Sequence, residues 1–252
     1  MAASPSKRRF DAVICDIDGC LAPESTAPMD APALARIAEY NVRAQADLDR
    51  PVVTLCSGRP QPFAEALCRL LHNTTVPCVA ENGVWLFDPR DSRFLMDPTI
   101  TDAHLDAVEQ AEHWIRHELG PKGVVIQPGK AASISLWHPD TEMLKAMQPR
   151  LRDEFARHDW PFRVSATVAW INCDLQHISK ATGVRRLVAE TGLQRERLAG
   201  VGDMPSDQAI ADNVGFFACP VNADPALSKN AHYVSPKHEV LGVLDILEQV
   251  RG

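Results

Sequence analysis

No apolar run in this 252-residue chain approaches the roughly 20 residues needed to cross a bilayer. A membrane span is therefore excluded by length alone. The opening "MAASPSKRRF" has no apolar core behind its charges, so it does not read as a secretory signal. No dense Lys/Arg stripe is present, and the net charge is −7, which argues against a nucleic-acid footprint. The short basic cluster Lys7, Arg8, Arg9 reads as a frayed, solvated terminus. The seven cysteines (15, 20, 56, 68, 78, 173, 219) form no C-x-x-C pair, and neither they nor the nine histidines fall at zinc-ligand spacing. Most sit in apolar surroundings, as reduced core cysteines do, and a cytoplasmic location is expected. Internal repeats and low-complexity stretches are also lacking.

What is present is an alternation of apolar runs and helix-period segments. Strands are expected at 10–16, 51–57 and 76–80, with helices at 32–48 and 62–71 between them. In the second of these helices Phe63, Leu67, Leu70 and Leu71 are expected to face inward. The rhythm returns near the end: helix 179–192 capped by Ser179 and stopped near Gly192, strand 197–203, helix 205–213, strand 215–220 and helix 239–250. Continuous apolar strands separated by helices imply a parallel sheet covered on both faces. Between the halves, residues 84–175 show short alternating strands around amphipathic helices near 102–119 and 140–158, an α+β texture. The expected architecture is a Rossmann-like α/β core, 1–83 with 176–252, interrupted by an α+β domain at 84–175.

Four short segments fall where such a core places its ligands, at the carboxyl ends of strands or the helix start beside them. They are "DIDG" (16–19), "SGR" (57–59), Lys180 and "GDMPSD" (202–207). Asp16, Asp18, Asp203 and Asp207 on one edge would repel each other unless a cation lies among them. An all-oxygen donor set suits Mg²⁺, which binds beside phosphates. Ser57 offers a hydroxyl and Gly58 an unobstructed N–H at a helix entrance, suited to phosphate oxygens. Arg59 is placed to reach substrate or a carboxylate, and Lys180 adds a compact positive charge. Asp16 can attack phosphorus as a carboxylate nucleophile, and Asp18 can pass a proton to the leaving oxygen and later take one from water.

In order and placement these segments resemble the four motifs of the haloacid-dehalogenase-like (HAD) phosphatase superfamily. The insert between "SGR" and Lys180 lies where the C2 cap of that superfamily is found, and "ENG" (81–83) is similar to that of its Cof-type (IIB) branch. The resemblance implies that Asp16 is the nucleophile, Asp18 the acid/base, and Ser57 and Lys180 phosphate binders. It further implies that Asp16, the Asp18 carbonyl and Asp203 hold Mg²⁺, with Asp207 in support. Ser206 stands where the branch usually has Asn.

The expected activity is hydrolysis of a small phosphorylated metabolite through an aspartyl-phosphate, with contacts on the cap choosing the substrate. A phosphomutase or a non-catalytic phosphosugar-binding module are the alternatives. Cys15 and Cys20 read as packing residues, Lys130 as a hairpin residue, His138 and His177 as bystanders. Trp114, Trp137, Trp160 and Trp170 read as cap packing, Asn82 with Gly83 as a turn, and Asn222 as a turn-former.

Overall fold

The structure, a computed structural model, describes residues 8–24 and 27–251. In chain order it begins with β1 (Ala12–Cys15), α1 (Ala31–Asp47), β2 (Val52–Leu55), α2 (Gln61–Leu70), β3 (Cys78–Ala80), β4 (Trp85–Asp88) and β5 (Arg93–Met96). Then come α3 (Asp102–Glu118), β6 (Val125–Ile126), β7 (Ser133–Trp137), α4 (Thr141–Ala146), α5 (Gln148–Arg157), β8 (Phe162–Ala166) and β9 (Trp170–Leu175). The chain closes with α6 (Lys180–Thr191), β10 (Leu198–Val201), α7 (Gln208–Ala211), β11 (Phe216–Cys219), α8 (Pro225–Ser228), β12 (Tyr233–Val234) and α9 (Glu239–Val250). Two compact units result: the described residues up to Leu95 with those from Lys180 on, and Met96–Ser179.

The first unit is built on a parallel sheet in the order β12-β11-β10-β1-β2. Successive side chains of its central strands point to opposite faces, and both faces are apolar. Val13, Cys15, Val53, Leu55 and Val201 pack against α1, α2 and α9 through Leu34, Ile37, Leu67, Val243 and Ile246. Ala12, Ile14, Val52, Leu198 and Phe217 pack on the other side with Val184, Leu187 and Ile210 of α6 and α7. Asp30 caps α1 by accepting the Ala33 N–H (3.0 Å), and Gly192, at φ +68°, ends the chain run after α6.

The buried stripe of α2 is Ala64, Leu67, Cys68 and then Leu71, an i, i+3, i+4, i+7 pattern, which leaves Leu70, expected inward, 58% exposed. The run 76–80 does not extend the parallel ladder; it meets it in one bridge, Cys56 with Val79, and pairs antiparallel with β4 in the sheet β3-β4-β5. Pro77 has no N–H to give, its carbonyl is taken by the Thr54 hydroxyl (2.7 Å), and the Val76 N–H goes to Asn73 (3.1 Å). Residues 85–88, read as part of the insert, consequently lie in the first unit. The stretch 205–213 forms a 3₁₀ turn at Pro205–Asp207 and a single helical turn after it. Arg8 and Arg9 are not frayed: Arg8 pairs with Asp11 (2.9 Å), and both carbonyls accept from Arg197 (2.9 and 3.2 Å). Lys7 lies outside the described residues.

The second unit is the antiparallel sheet β6-β7-β9-β8 with α3, α4 and α5 packed on its strands. Register places Ile134, Cys173 and Val164 in one cross-strand row and Ser135, Asn172 and Ser165 in the next, so one face is apolar and the other polar. Trp137 and Trp170 lie opposite one another across β7 and β9. Lys130 reaches this polar row, donating to the Ser135 hydroxyl at 2.6 Å. The single helix expected at 140–158 is two, divided at Met147; Pro149 falls in the first turn of α5, where its missing N–H leaves no intrahelical bond unmade.

Candidate active site

Asp16, Ser57 and Asp203 follow the carboxyl ends of β1, β2 and β10, three neighbouring strands of the parallel sheet. The Asp16 N–H still donates to Val201 O (3.0 Å), which carries the β1 pairing one residue past the strand. Its carboxylate accepts the Ile17 N–H (2.8 Å), and the Cys15 thiol donates to its carbonyl (3.1 Å). Beyond it the chain folds back tightly, with the N–H groups of Cys20, Leu21 and Ala22 converging on Ile17 O. Gly19 enables this turn at φ +75°, and a Cβ there would fall 1.9 Å from Asp203 Oδ2. Only glycine fits against that carboxylate.

Lys180, the first residue of α6, lies between two carboxylates, 2.7 Å from Asp16 Oδ2 and 2.6 Å from Asp207 Oδ1. Burial opposes its charge, yet Asp16 and Asp207 hold its pKa well above the ordinary lysine value. The other Asp207 oxygen accepts the Asp203 and Met204 N–H groups at 3.0 Å each, so Asp207 braces the loop after β10. Asp16, Asp203 and Asp207 are all buried, and one oxygen of each lies within 4.8 Å of the others. Burial, then the Asp207 charge, pushes Asp16 up to about 7; burial, then Asp16 and Asp207, pushes Asp203 up to about 8.

A cation answers these observations. Three buried carboxylates face one ammonium, and Asp203 Oδ1 is buried without a hydrogen-bond partner. An uncompensated buried charge is costly, and an oxygen-only donor set fits a hard divalent ion. The residues present therefore fit a metal.

Asp18 takes no part in the cluster of three. Arg59 grips its carboxylate, Nε to Oδ2 at 2.8 Å and Nη2 to Oδ1, while the guanidinium stacks over Phe63. Ser57 accepts the Arg59 N–H (3.1 Å) on its hydroxyl. Its loop is held from below by a left-handed turn, Glu81, Asn82 and Gly83 at φ +51°, +52° and +109°. Glu81 N donates to Arg59 O (2.9 Å) and Asn82 N to Ser57 O (3.0 Å). The Asn82 side chain presses on Gly58, 3.0 Å from where a Cβ would stand, so "ENG" shapes the "SGR" loop. Ser206 is exposed on the 3₁₀ turn.

Other readings fall into place around these. Cys15 and Cys20 are fully buried packing residues. In the second unit the His177 ring packs at a tilt against His104 (4.6 Å between centroids), and His138 accepts the Asp140 N–H. Asn222 does more than form a turn: its Nδ2 donates to Gly19 O (2.8 Å). The Glu81 backbone and this Asn222 bond were not signalled by local spacing.

The family model for haloacid dehalogenase-like hydrolases matches residues 129–247. A "Phosphoglycolate phosphatase" of Methanothrix thermoacetophila is 35% identical over 75 residues, covering 30% of this chain and 34% of that protein. The chain thus matches about a third of that curated relative's length. Over the whole fold it is similar to a HAD/Cof-like protein from Plasmodium vivax, with TM-score 0.72, 16% identity and 96% and 95% of the two chains covered. A haloacid dehalogenase-like hydrolase from Bacteroides thetaiotaomicron gives TM-score 0.68, 16% identity, and 96% and 99% coverage. Over residues 129–247 the chain is similar to the haloacid dehalogenase-like hydrolases, and its parallel five-stranded core with an inserted antiparallel unit has the fold of the Cof-like structures.

Proposed function

We propose that the chain is a Mg²⁺-dependent phosphatase that cleaves a small phosphomonoester through an aspartyl-phosphate on Asp16. The observation that carries this reading is the buried Asp16 carboxylate, salt-bridged to Lys180 beside Asp203 and Asp207. A carboxylate so placed can attack phosphorus only where positive charge draws a phosphate to it. Lys180 supplies that charge, and the Ser57 hydroxyl and Gly58 N–H supply donors for the phosphate oxygens. Mg²⁺, when bound by Asp16, Asp203, Asp207 and the Asp18 carbonyl, would neutralise the charge of the phosphate and of the cluster.

The chemistry of the side chains balances in two steps. An Asp16 oxygen bonds to phosphorus as the bond to the leaving oxygen breaks, and Asp18 gives that oxygen a proton. Asp18 then takes a proton from water, whose oxygen bonds to phosphorus as the bond to Asp16 breaks, freeing inorganic phosphate. For each transfer Arg59 must release an Asp18 oxygen, which makes the Arg59–Asp18 pair part of the cycle. The first unit carries this chemistry and the second is left to substrate choice.

The name of the Methanothrix relative favours small phosphorylated acids among the substrates. The test is a panel of phosphorylated metabolites incubated with Mg²⁺ and read by phosphate release. Free phosphate from one ester class supports the reading, and phosphoryl transfer to a second sugar without free phosphate would make the chain a mutase. Binding without any turnover would leave a phosphosugar-binding module.

A further inference from the structure

The loop after β11 ties together the two segments that bear the acidic cluster. Asn222 Nδ2 donates to Gly19 O at 2.8 Å, on the turn that follows Asp16 and Asp18. Two residues on, the Asp224 N–H donates to Asp203 O at 2.7 Å. One short loop thus holds both carbonyls, one in each acidic segment. Asn222 is anchored in turn, because its Oδ1 accepts the Glu239 N–H at 2.8 Å. Glu239 gives that N–H from a left-handed backbone, φ +47°, an unusual conformation for a residue with a side chain.

The junction has no slack. Gly19 lies so close to Asp203 that even a methyl group would overlap its carboxylate. A shift of Gly19 therefore alters the spacing between Asp16 and Asp203 directly. Octahedral ligation of a small divalent ion tolerates little error in oxygen placement, so affinity depends on this spacing.

We propose that Asn222 is a positioning residue for the cation site, fixing the Asp16–Gly19 turn against Asp203 and thereby setting Mg²⁺ affinity. This inference rests on the reading of the acidic cluster as a cation site. Asn222→Asp separates the two bonds, since a carboxylate still accepts the Glu239 N–H but cannot donate to Gly19 O. Asn222→Ala removes both.

The experiment is calorimetric titration of the metal-free full chain with Mg²⁺, paired with melting of the metal-free proteins. Losing one hydrogen bond of this kind should weaken Mg²⁺ binding about five- to tenfold in Asn222→Asp. The half-saturating Mg²⁺ for phosphate release should rise by a similar factor, with a smaller fall in turnover at saturating Mg²⁺. A lowered melting temperature with unchanged Mg²⁺ affinity would overturn the proposal and leave Asn222 a merely structural contact. A wild-type chain that binds no Mg²⁺ would overturn the cation-site reading and this inference together. If the wild type binds Mg²⁺ yet releases no phosphate, weakened binding in Asn222→Asp still supports the inference while the phosphatase reading fails. Should Asn222→Asp not fold, Asn222→Ser, too short to reach either Gly19 O or the Glu239 N–H, is titrated in its place, and unchanged Mg²⁺ affinity in it would equally overturn the proposal.

Discussion

Asp16 and Asp18 are two residues apart, yet their surroundings differ completely. Asp16 is buried against Lys180, whereas Asp18 is partly exposed and gripped by Arg59. Their replacements should differ accordingly. Asp16→Asn removes the attacking oxygen, and steady-state assays should find no phosphate release from any ester. Asp18→Asn keeps its backbone carbonyl and should lose on the order of 10²–10⁴ in rate on alkyl phosphates. Aryl phosphates, whose leaving group departs without a proton, should show a burst of phenol followed by slow turnover in stopped-flow. Equal loss on both ester types would remove Asp18 from the acid/base role. Gly19→Ala tests the packing at the same scale. Its left-handed φ and the overlap with Asp203 should cost about 1–3 kcal/mol by denaturant titration, with loss of Mg²⁺ binding. The acidic residues were legible in the sequence because carboxylates behind apolar strands stand out. Arg59 is expected from the sequence to reach substrate or a carboxylate, and that carboxylate is Asp18; the bond from Asn222 to Gly19, across 203 positions, is not legible there. No local spacing encodes such a contact.

Helices were easier to read than the pairing of strands, because a helix makes its hydrogen bonds within itself. The bounds of α1, α3, α6 and α9 follow from apolar periodicity and end signals. In α2 the period was right and the phase was off by one residue, since Leu70 and Leu71 are chemically equal and only packing distinguishes them. That difference is measurable. Leu67→Ala, at 5% exposure, should cost about 2–5 kcal/mol in chemical denaturation, and Leu70→Ala less than about 0.5 kcal/mol. Similar losses at both positions would place the helix in the wrong rotation. The run 76–80 looked like another parallel strand because its apolar texture is identical to one. Its first two residues give their backbone groups to Thr54 and Asn73 side chains, and only Cys78–Ala80 form a ladder, antiparallel with β4.

At the scale of the whole molecule, the acidic cluster is expected to couple stability to pH and, as the proposed cation site, to metal. Asp16 and Asp203 have folded pKa values near 7 and 8, above the ordinary carboxylate value of about 4. Between those limits the folded chain binds more protons than the unfolded one. In chelator, stability from these groups is fully present below about pH 4 and lost as pH rises towards 8. Thermal melts should show this decline, Asp203→Asn should flatten it, and Mg²⁺ should raise the melting temperature more at pH 8 than at pH 5. A melting temperature that ignores both pH and Mg²⁺ in this range would contradict the coupling. The α/β core and its α+β insert were apparent from the change in texture along the chain, whereas the edge at Leu95 depended on which strand β4 chose to pair with.

Passage of the phosphoryl group through Asp16 is tested by trapping it there. The Asp18→Asn chain is mixed with Mg²⁺ and a ³²P-labelled aryl phosphate, quenched in acid, digested and mapped. One labelled peptide is expected, with the label on Asp16, stable in acid, released by hydroxylamine and absent when Asp16 is also replaced. Turnover of the aryl phosphate without trapped label, or label on another residue, would contradict it.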